Sequence, residues 1–215
     1  MVYDVEDIKR EVRIAMDKYP GSEALIETGD IDSISIDEII GSKIADAARI
    51  VEQQAPSHLL DSGRAFGESI GWNGQLKGYG SGYTHLPDDF MRLVTFQMSD
   101  WSRPVTEAIT EEDPRYAMQT SRFAGVRGNP EKPVVAIVKY PIGLVLEFYS
   151  CTAGENVFVK KARYIPIPKV RNGEIELCEK LKSSIVHYCA YMVCMTIGEE
   201  QTATRLLKIS NELAK

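Results

Sequence analysis

The segment from His85 to Phe96 places the tightest constraint on how this chain can fold. Pro87 fixes its own φ angle and disfavours helix at the residue before it. Asp88 and Asp89 follow, and their short side chains can bond their own backbone in a turn. A strand-like apolar run then begins at Met91. The segment therefore predicts a sharp turn into a sheet, midway between two regions with helical patterns.

Helical periodicity is confined to the two ends of the chain. Apolar residues recur at three- and four-residue steps over 5–18, and again from Ile36 to Val51 after Ser35 as an N-cap. Near the other end, a long helix is expected from about Glu174 to Ile197, and a shorter one starts at Glu199. Because each helix has an apolar stripe on one side, the four are expected to pack together as a bundle.

The middle of the chain has strand-like patterns. The candidate strands are 91–98, 104–110, 133–140, 143–150 and 157–164. The stretch 111–132 has little periodicity and is predicted to be a loop.

The predicted fold class is therefore α+β, with N- and C-terminal helices packed as a bundle and an inserted antiparallel β-sheet or small barrel. Residues 1–62 and 172–215 are assigned to the bundle, and 86–171 to the β-rich insertion.

Residues 63–85 combine many glycines with aromatic rings. Glycine at this density costs too much backbone entropy to form regular structure unaided. Phe66, Trp72, Tyr79 and Tyr83 are interleaved with the glycines, although a flexible linker needs no large rings. We therefore predict a docking loop that becomes ordered when it contacts a partner.

No group of residues has the spacing of a catalytic or metal site. The histidines, His58, His85 and His187, are far apart and lack ligand spacing. Asp88 and Asp89 are interpreted as turn formers. The glycines at 78, 80 and 82 do not match a phosphate-binding loop. The chain is accordingly not expected to be an enzyme or to hold a cofactor.

The cysteine spacing does not predict a zinc site or a disulfide framework either, since no pair has CxxC spacing. They are interpreted as reduced, partly buried residues: Cys151, Cys178, Cys189 and Cys194. A small hydrolase that uses Asp88 or Cys189 stays the least favoured alternative, because no base is positioned beside either residue. The Tyr and Met residues of the long C-terminal helix, 188, 191, 192 and 195, are interpreted as core or helix-interface residues.

Charge is distributed unevenly. The net charge of −6 argues against a general nucleic-acid coat or a membrane-surface protein. Residues 1–60 contain 13 acidic and 6 basic side chains, whereas 115–171 contain 10 basic and 3 acidic ones. Basic residues at Lys160, Lys161 and Arg163 could contact an acidic partner or DNA, or could simply be a solvated strand face.

Neither a leader nor a membrane segment is expected. The first residues lack a basic stretch followed by an apolar one, and no apolar run is long enough to span a bilayer. The sequence therefore predicts a soluble protein made in a cytoplasm, with no membrane partner.

Leu86-Pro87-Asp88-Asp89-Phe90-Met91-Arg92-Leu93 resembles the LPxDFxRL segment at the start of the sheet in head-to-tail adaptor proteins of short-tailed phages, of the tail-tubular or portal-ring type. Ala47 to Val51, followed by Ala55-Pro56, resembles a motif associated with ring proteins of crAss-like gut phages. The order of helices, sheet and helices is similar too, so the resemblance in layout covers most of the chain.

This resemblance implies a structural protein of the virion neck, assembled in the host cytoplasm. It implies a homo-dodecameric ring beneath the portal protein that extends the DNA channel and provides a platform for further tail or ring proteins. Genomic DNA would pass through the lumen without being read. A ring needs a heterologous interface that closes by rotation. The residues predicted to form interfaces are Trp72, Tyr79, Tyr83, Lys160, Lys161 and Arg163. A DNA-associated binding module using the basic strands is the alternative.

Overall fold

The computed structural model describes residues 1–16, 35–67, 69–73, 80–121, 123, 125–149, 151–152 and 157–215. The chain divides into two compact units. The helical unit comprises Met1–Asp61 and Ile167–Lys215, and the β unit comprises Ser62–Pro166. The fold is α+β, as the sequence predicts.

The described elements follow one another along the chain in this order: β1 (Val2–Asp4), α1 (Val5–Ala15), α2 (Ile36–Gln54), β2 (Arg64–Ala65), β3 (Gly71–Trp72), β4 (Gly82–His85), β5 (Phe90–Met98), β6 (Ile109–Thr110), α3 (Pro114–Met118), β7 (Val135–Tyr140), β8 (Gly143–Phe148), β9 (Val159–Pro166), β10 (Glu174–Glu176), α4 (Lys182–Thr196) and α5 (Glu200–Leu213).

Helix α4 is the centre of the helical unit, where it packs against α1, α2 and α5. Helix α2 begins with a capping box in which Ser35 accepts from the Glu38 amide, while the Glu38 carboxylate accepts from the Ser35 amide. Apolar side chains from all four helices are fully buried, among them Ile8, Ile40, Ile44, Ile185 and Leu206. The bundle predicted from both chain ends is thus formed.

The predicted start of the long C-terminal helix at Glu174 is wrong. Residues 174–176 form β10, which pairs antiparallel with β1, and the helix begins at Lys182. Asn172 and Gly173 both have positive φ, so the chain turns tightly just before β10. Burial alternates from Glu174 to Leu177, which is the period of a strand.

The β unit contains two open sheets. The larger has the strand order β3-β4-β8-β7-β6, in which only the β6–β7 pair is parallel, and the smaller has the order β2-β9-β5. A core between them includes Phe96, Met98, Leu146 and Phe148. Among the described residues no barrel closes, so the sheet form of the prediction applies.

Segments predicted as loops contribute regular structure to the β unit. Within 63–85, short strands β2, β3 and β4 add to the sheets, because neighbouring strands supply the hydrogen bonds that glycine-rich backbone cannot make alone. Within 111–132, α3 forms behind the Asp113 N-cap. Candidate strand 104–110 is reduced to β6 and a bridge at Val105. Residues 167–171, assigned from the sequence to the insertion, belong to the helical unit.

The turn at Pro87 is present, with the Phe90 amide donating to the Pro87 carbonyl at 2.9 Å. The Asp89 carboxylate contacts two residues of neighbouring strands. It accepts from the Tyr164 hydroxyl at 2.8 Å and lies 3.2 Å from a guanidinium nitrogen of Arg64. This aspartate therefore joins the start of β5 to both other strands of the smaller sheet.

Candidate functional site

The aromatic residues predicted to form interfaces lie on the larger sheet. Trp72 on β3 is about half exposed, and its ring meets Phe148 edge-on at 5.5 Å. Tyr83 on β4 is half-buried over Gly71, and its ring lies 5.4 Å from that of Tyr140. Tyr79 lies outside the described residues. Trp72 packs with the main core and Tyr83 with a second cluster, so the two rings belong to different faces.

Lys160, Lys161 and Arg163 lie together on β9 and are exposed; they are called the basic strand below. Lys161 is opposite Gln97 and Arg163 is opposite Thr95 on β5. The Arg163 guanidinium also donates to the Gly63 carbonyl at 3.1 Å. The basic strand belongs to the smaller sheet, so the structure does not place it in one sheet with Trp72 and Tyr83.

Sequence reasoning missed a buried glutamate on β8. Glu147 is fully buried and accepts hydrogen bonds from the hydroxyls of Tyr140 and Tyr149, with the Tyr116 hydroxyl at 3.4 Å. Burial, together with the neighbouring Glu147 carboxylate, raises the pKa of Tyr149. These four residues are called the tyrosine cluster. The sequence contained one signal for this cluster, a glutamate inside an otherwise apolar strand. A glutamate is rarely buried unless hydrogen-bonding partners surround it.

The tyrosine cluster is suited to holding structure in place. Glu147 has no exposed surface, so it cannot touch a substrate in this conformation. Tyr116 belongs to α3, whereas Tyr140 and Glu147 belong to β7 and β8. The hydrogen bond from Tyr116 therefore ties α3, and the start of the segment that follows it, to the larger sheet.

Three described residues in and after α3 have exposed apolar side chains. Phe123 is 74% exposed, and Met118 and Val126 are about half exposed. The buried side chain of Gln119 donates to the Arg115 carbonyl at 2.8 Å and accepts from the Gly128 amide at 2.9 Å. Met118, Phe123 and Val126 are called the apolar loop.

A second apolar surface lies on α4. Tyr188, Tyr191 and Met192 are half-buried, and Met195 is 49% exposed. Their spacing places them on one side of the helix, and the rings of Tyr188 and Tyr191 lie 5.3 Å apart. These residues are called the α4 stripe. They are less buried than the sequence analysis expected, because no described helix of the unit covers this side of α4 completely.

A cavity of about 160 Å³ adjoins one end of the α4 stripe. Tyr188 and Ser184 of α4 line it, together with Val51 and Gln54 of α2 and Ser210 of α5. The Ser184 and Ser210 hydroxyls lie 3.0 Å apart and each also donates to the other residue's carbonyl, so these polar groups are satisfied within the unit. The cavity therefore marks a depression between α2 and α5 with α4 beneath it.

The cysteine side chains are shielded from solvent. All four cysteines are buried, and burial raises the pKa of the Cys178 and Cys189 thiols to about 12. Among the residues that can be described, no three His, Cys, Asp or Glu side chains are grouped to hold a metal ion. The helices in the described ranges include none with the length and apolar character required to cross a membrane.

Comparison with known proteins adds no family assignment. The sequence matches no protein-family model, and no curated protein matches it significantly. The functional interpretation therefore depends on the surfaces described above and on the segment beginning at Leu86.

Proposed function

We propose that this chain is a structural virion protein of a phage neck, forming a homo-dodecameric ring that joins the portal to the tail and extends the DNA channel. The observation that carries the proposal is the difference in charge between the two units. The helical unit has 20 acidic and 13 basic residues, a net charge of −7, whereas the β unit has 11 and 12, a net charge of +1. The resemblance at Leu86 to Leu93 supports the same function.

Such a charge difference suits a head-to-tail contact between copies. A ring requires two different patches on each copy, so that one copy's first patch meets the next copy's second patch. The exposed basic strand on the β unit provides a positive patch, and the helical unit provides the negative counterpart. Complementary charges of this kind guide the encounter and select the orientation more than they add affinity.

The overall charge also suits a DNA conduit. Tight binding of duplex DNA depends on neutralising phosphates with Lys and Arg, and this chain is acidic overall. An acidic ring would hold the genome weakly and let it slide past without sequence recognition.

The copy number and shape test the proposal directly. Purified chain should give the light-scattering mass of about twelve copies, alone or added to the mass of the portal ring in a mixture, and negative-stain images should show rings. A chain that stays monomeric with portal present would contradict the proposal.

Charge reversal tests the contact. The triple variant Lys160→Glu, Lys161→Glu and Arg163→Glu should lose most of its ring assembly, because the positive patch becomes negative. The matched control Lys139→Glu, Lys169→Glu and Lys208→Glu changes net charge equally at exposed positions elsewhere and should still assemble. Equal assembly of both variants would reject the electrostatic contact.

The exposed basic strand also supports one alternative, a DNA-associated binding module. A gel shift of duplex DNA at about 0.15 M salt distinguishes the two functions. Binding that the charge-reversed triple variant abolishes, from a chain that forms no rings, would favour the module.

A further inference from the structure

We propose that Asn172 is a site of spontaneous backbone modification, at which the side-chain amide is lost and an isoaspartyl link to Gly173 forms. The chain contains two Asn-Gly pairs, Asn73-Gly74 and Asn172-Gly173. Loss of the amide is fastest where glycine follows asparagine, because glycine has no side chain to hinder the reacting backbone nitrogen. The inference concerns the helical unit and does not depend on the proposed function.

Asn172 and Gly173 form the tip of a two-residue hairpin. The Arg171 amide donates to the Glu174 carbonyl at 2.8 Å, and the Glu174 amide donates to the Arg171 carbonyl at 2.9 Å. Both tip residues have positive φ, 53° for Asn172 and 80° for Gly173, as tight Asn-Gly hairpins require. Residues 171–174 are all exposed. A short exposed hairpin of this kind opens locally at little cost in free energy.

The two groups that react are unencumbered in this turn. Among the described residues, neither the Asn172 side chain nor the Gly173 amide finds a hydrogen-bonding partner. A Cβ at Gly173 would meet nothing within 4 Å, so solvent reaches the site. Asn73 differs, since its backbone amide donates to the Ser81 carbonyl at 3.0 Å and its side-chain nitrogen is buried. We therefore expect Asn172 to react first.

The reaction consumes water and needs no other co-reactant. The Gly173 nitrogen bonds to Cγ of Asn172, the Cγ–Nδ2 bond breaks, and Nδ2 leaves as ammonia with the proton from the Gly173 amide. Water then opens the five-membered imide. Opening at Cγ gives aspartate with a normal backbone, whereas opening at the Asn172 carbonyl carbon gives isoaspartate, in which the backbone runs through Cβ and Cγ. Either product carries one new negative charge.

The isoaspartyl product disrupts contacts that join the two ends of the chain. The Gly173 carbonyl accepts from the Val5 amide at 2.9 Å, and so satisfies a donor in the first turn of α1. The pairing of β10 with β1 begins at the next residue, where Glu174 is opposite Asp4. An extra backbone atom in the hairpin displaces both contacts, because the length of the loop sets the register. The unfolding equilibrium constant of the helical unit should rise about fivefold, as it does when one helix cap is lost.

Controlled ageing of the purified chain tests the site. The chain and a synthetic peptide of residues 170–180 are incubated for weeks at neutral pH, and digestion of the chain after its lysines then releases the same peptide. Mass spectrometry measures loss of the amide, and methyl transfer by an isoaspartyl methyltransferase measures isoaspartate. The rate at Asn172 should be within about tenfold of the rate in the free peptide and above the rate at Asn73. A rate more than about a hundredfold below that of the peptide, or faster reaction at Asn73, would overturn the inference.

A variant without the reacting amide tests the consequence for the fold. Asn172→Gly retains a residue that adopts positive φ and removes the side-chain amide. Asn211→Gln, at an exposed position of α5, is the matched control. Urea unfolding followed by circular dichroism, before and after ageing, should show lost stability in the wild type and in Asn211→Gln but not in Asn172→Gly. Equal loss in all three chains, or no loss in a fully converted wild type, would contradict the disruption of the chain-end contacts.

Discussion

The helical unit and the β unit each bury one glutamate among the described residues, but they satisfy it differently. Glu52, in the last turn of α2, accepts from the backbone amide of Cys178 at 2.7 Å. Glu147, on β8, accepts from tyrosine side chains. Glu52 thus joins backbone segments 126 positions apart. Glu147 instead joins tyrosine side chains of the larger sheet and of α3.

The two buried glutamates therefore connect different parts of the structure. In the helical unit, Glu52 links the end of α2 to the segment that leads into α4, and so connects the two halves of a bundle built from both chain ends. In the β unit, the tyrosine cluster holds α3 against the sheet and thereby supports the apolar loop. Substitutions at the two glutamates should therefore have distinguishable effects.

The largest effect is expected at Glu147. Glu147→Leu should destabilise the β unit by about 3 kcal/mol, because several tyrosine hydroxyls lose a charged acceptor and Tyr149 is buried. Both tryptophans, Trp72 and Trp101, lie in the β unit, so their fluorescence during urea unfolding reports this change. Glu107→Leu, at an exposed position of the same unit, is the control and should change stability by under about 0.5 kcal/mol.

A smaller and graded effect is expected from the tyrosines. Tyr149→Phe should cost about 1–2 kcal/mol, since it removes one hydrogen bond to a buried charge. Tyr116→Phe should cost less, because its hydroxyl lies 3.4 Å from the carboxylate. Tryptophan fluorescence again provides the measurement. The reverse order of the two costs would show that the cluster depends on Tyr116 rather than on Tyr149.

The smallest effect is expected at Glu52 and appears in the pH dependence. Burial raises the pKa of Glu52 despite the hydrogen bond from the Cys178 amide. The folded state therefore binds this proton more tightly than the unfolded state does. Stability should be greatest below the unfolded pKa and should fall as pH rises through the raised pKa.

Glu52→Gln should flatten this slope, with a change in stability within about 1 kcal/mol, because glutamine still accepts from the amide but does not ionise. Unfolding followed by circular dichroism at several pH values between about 4 and 8 measures it. Glu212→Gln, at an exposed position of α5, should retain the wild-type slope. A wild-type slope in Glu52→Gln as well would show that other groups cause it.

Local signals were sufficient for much of the architecture. Ser35 as an N-cap predicts the start of α2, and the structure has Ser35 at that position in a capping box with Glu38. Pro87 predicts the turn before β5, and alternating residues predict β8. Each of these signals lies within a few residues of the element that it specifies, so one sequence contains the information needed.

The candidate surfaces were only partly predictable. The basic strand was visible as a cluster of charges, and the structure places its three side chains on one exposed strand. The apolar loop was not visible in the sequence, because 111–132 lacks periodicity. Whether a side chain is exposed depends on what the fold places over it. The α4 stripe was interpreted as core or interface, and a periodic pattern alone cannot distinguish a covered face from an open one.

The sequence by itself determined the α+β class, the helices at both ends, most of the strands in the middle and the uneven charge. Only the tertiary structure decided that Glu174–Glu176 pairs with Val2–Asp4, and that Tyr116, Tyr140 and Tyr149 meet at Glu147. Capping, turns and periodicity act between near neighbours in the chain, whereas these contacts join residues up to 174 positions apart. The turn at Pro87 shows the same division. Its position was predicted from the sequence, but only the fold places Arg64 and Tyr164 beside Asp89.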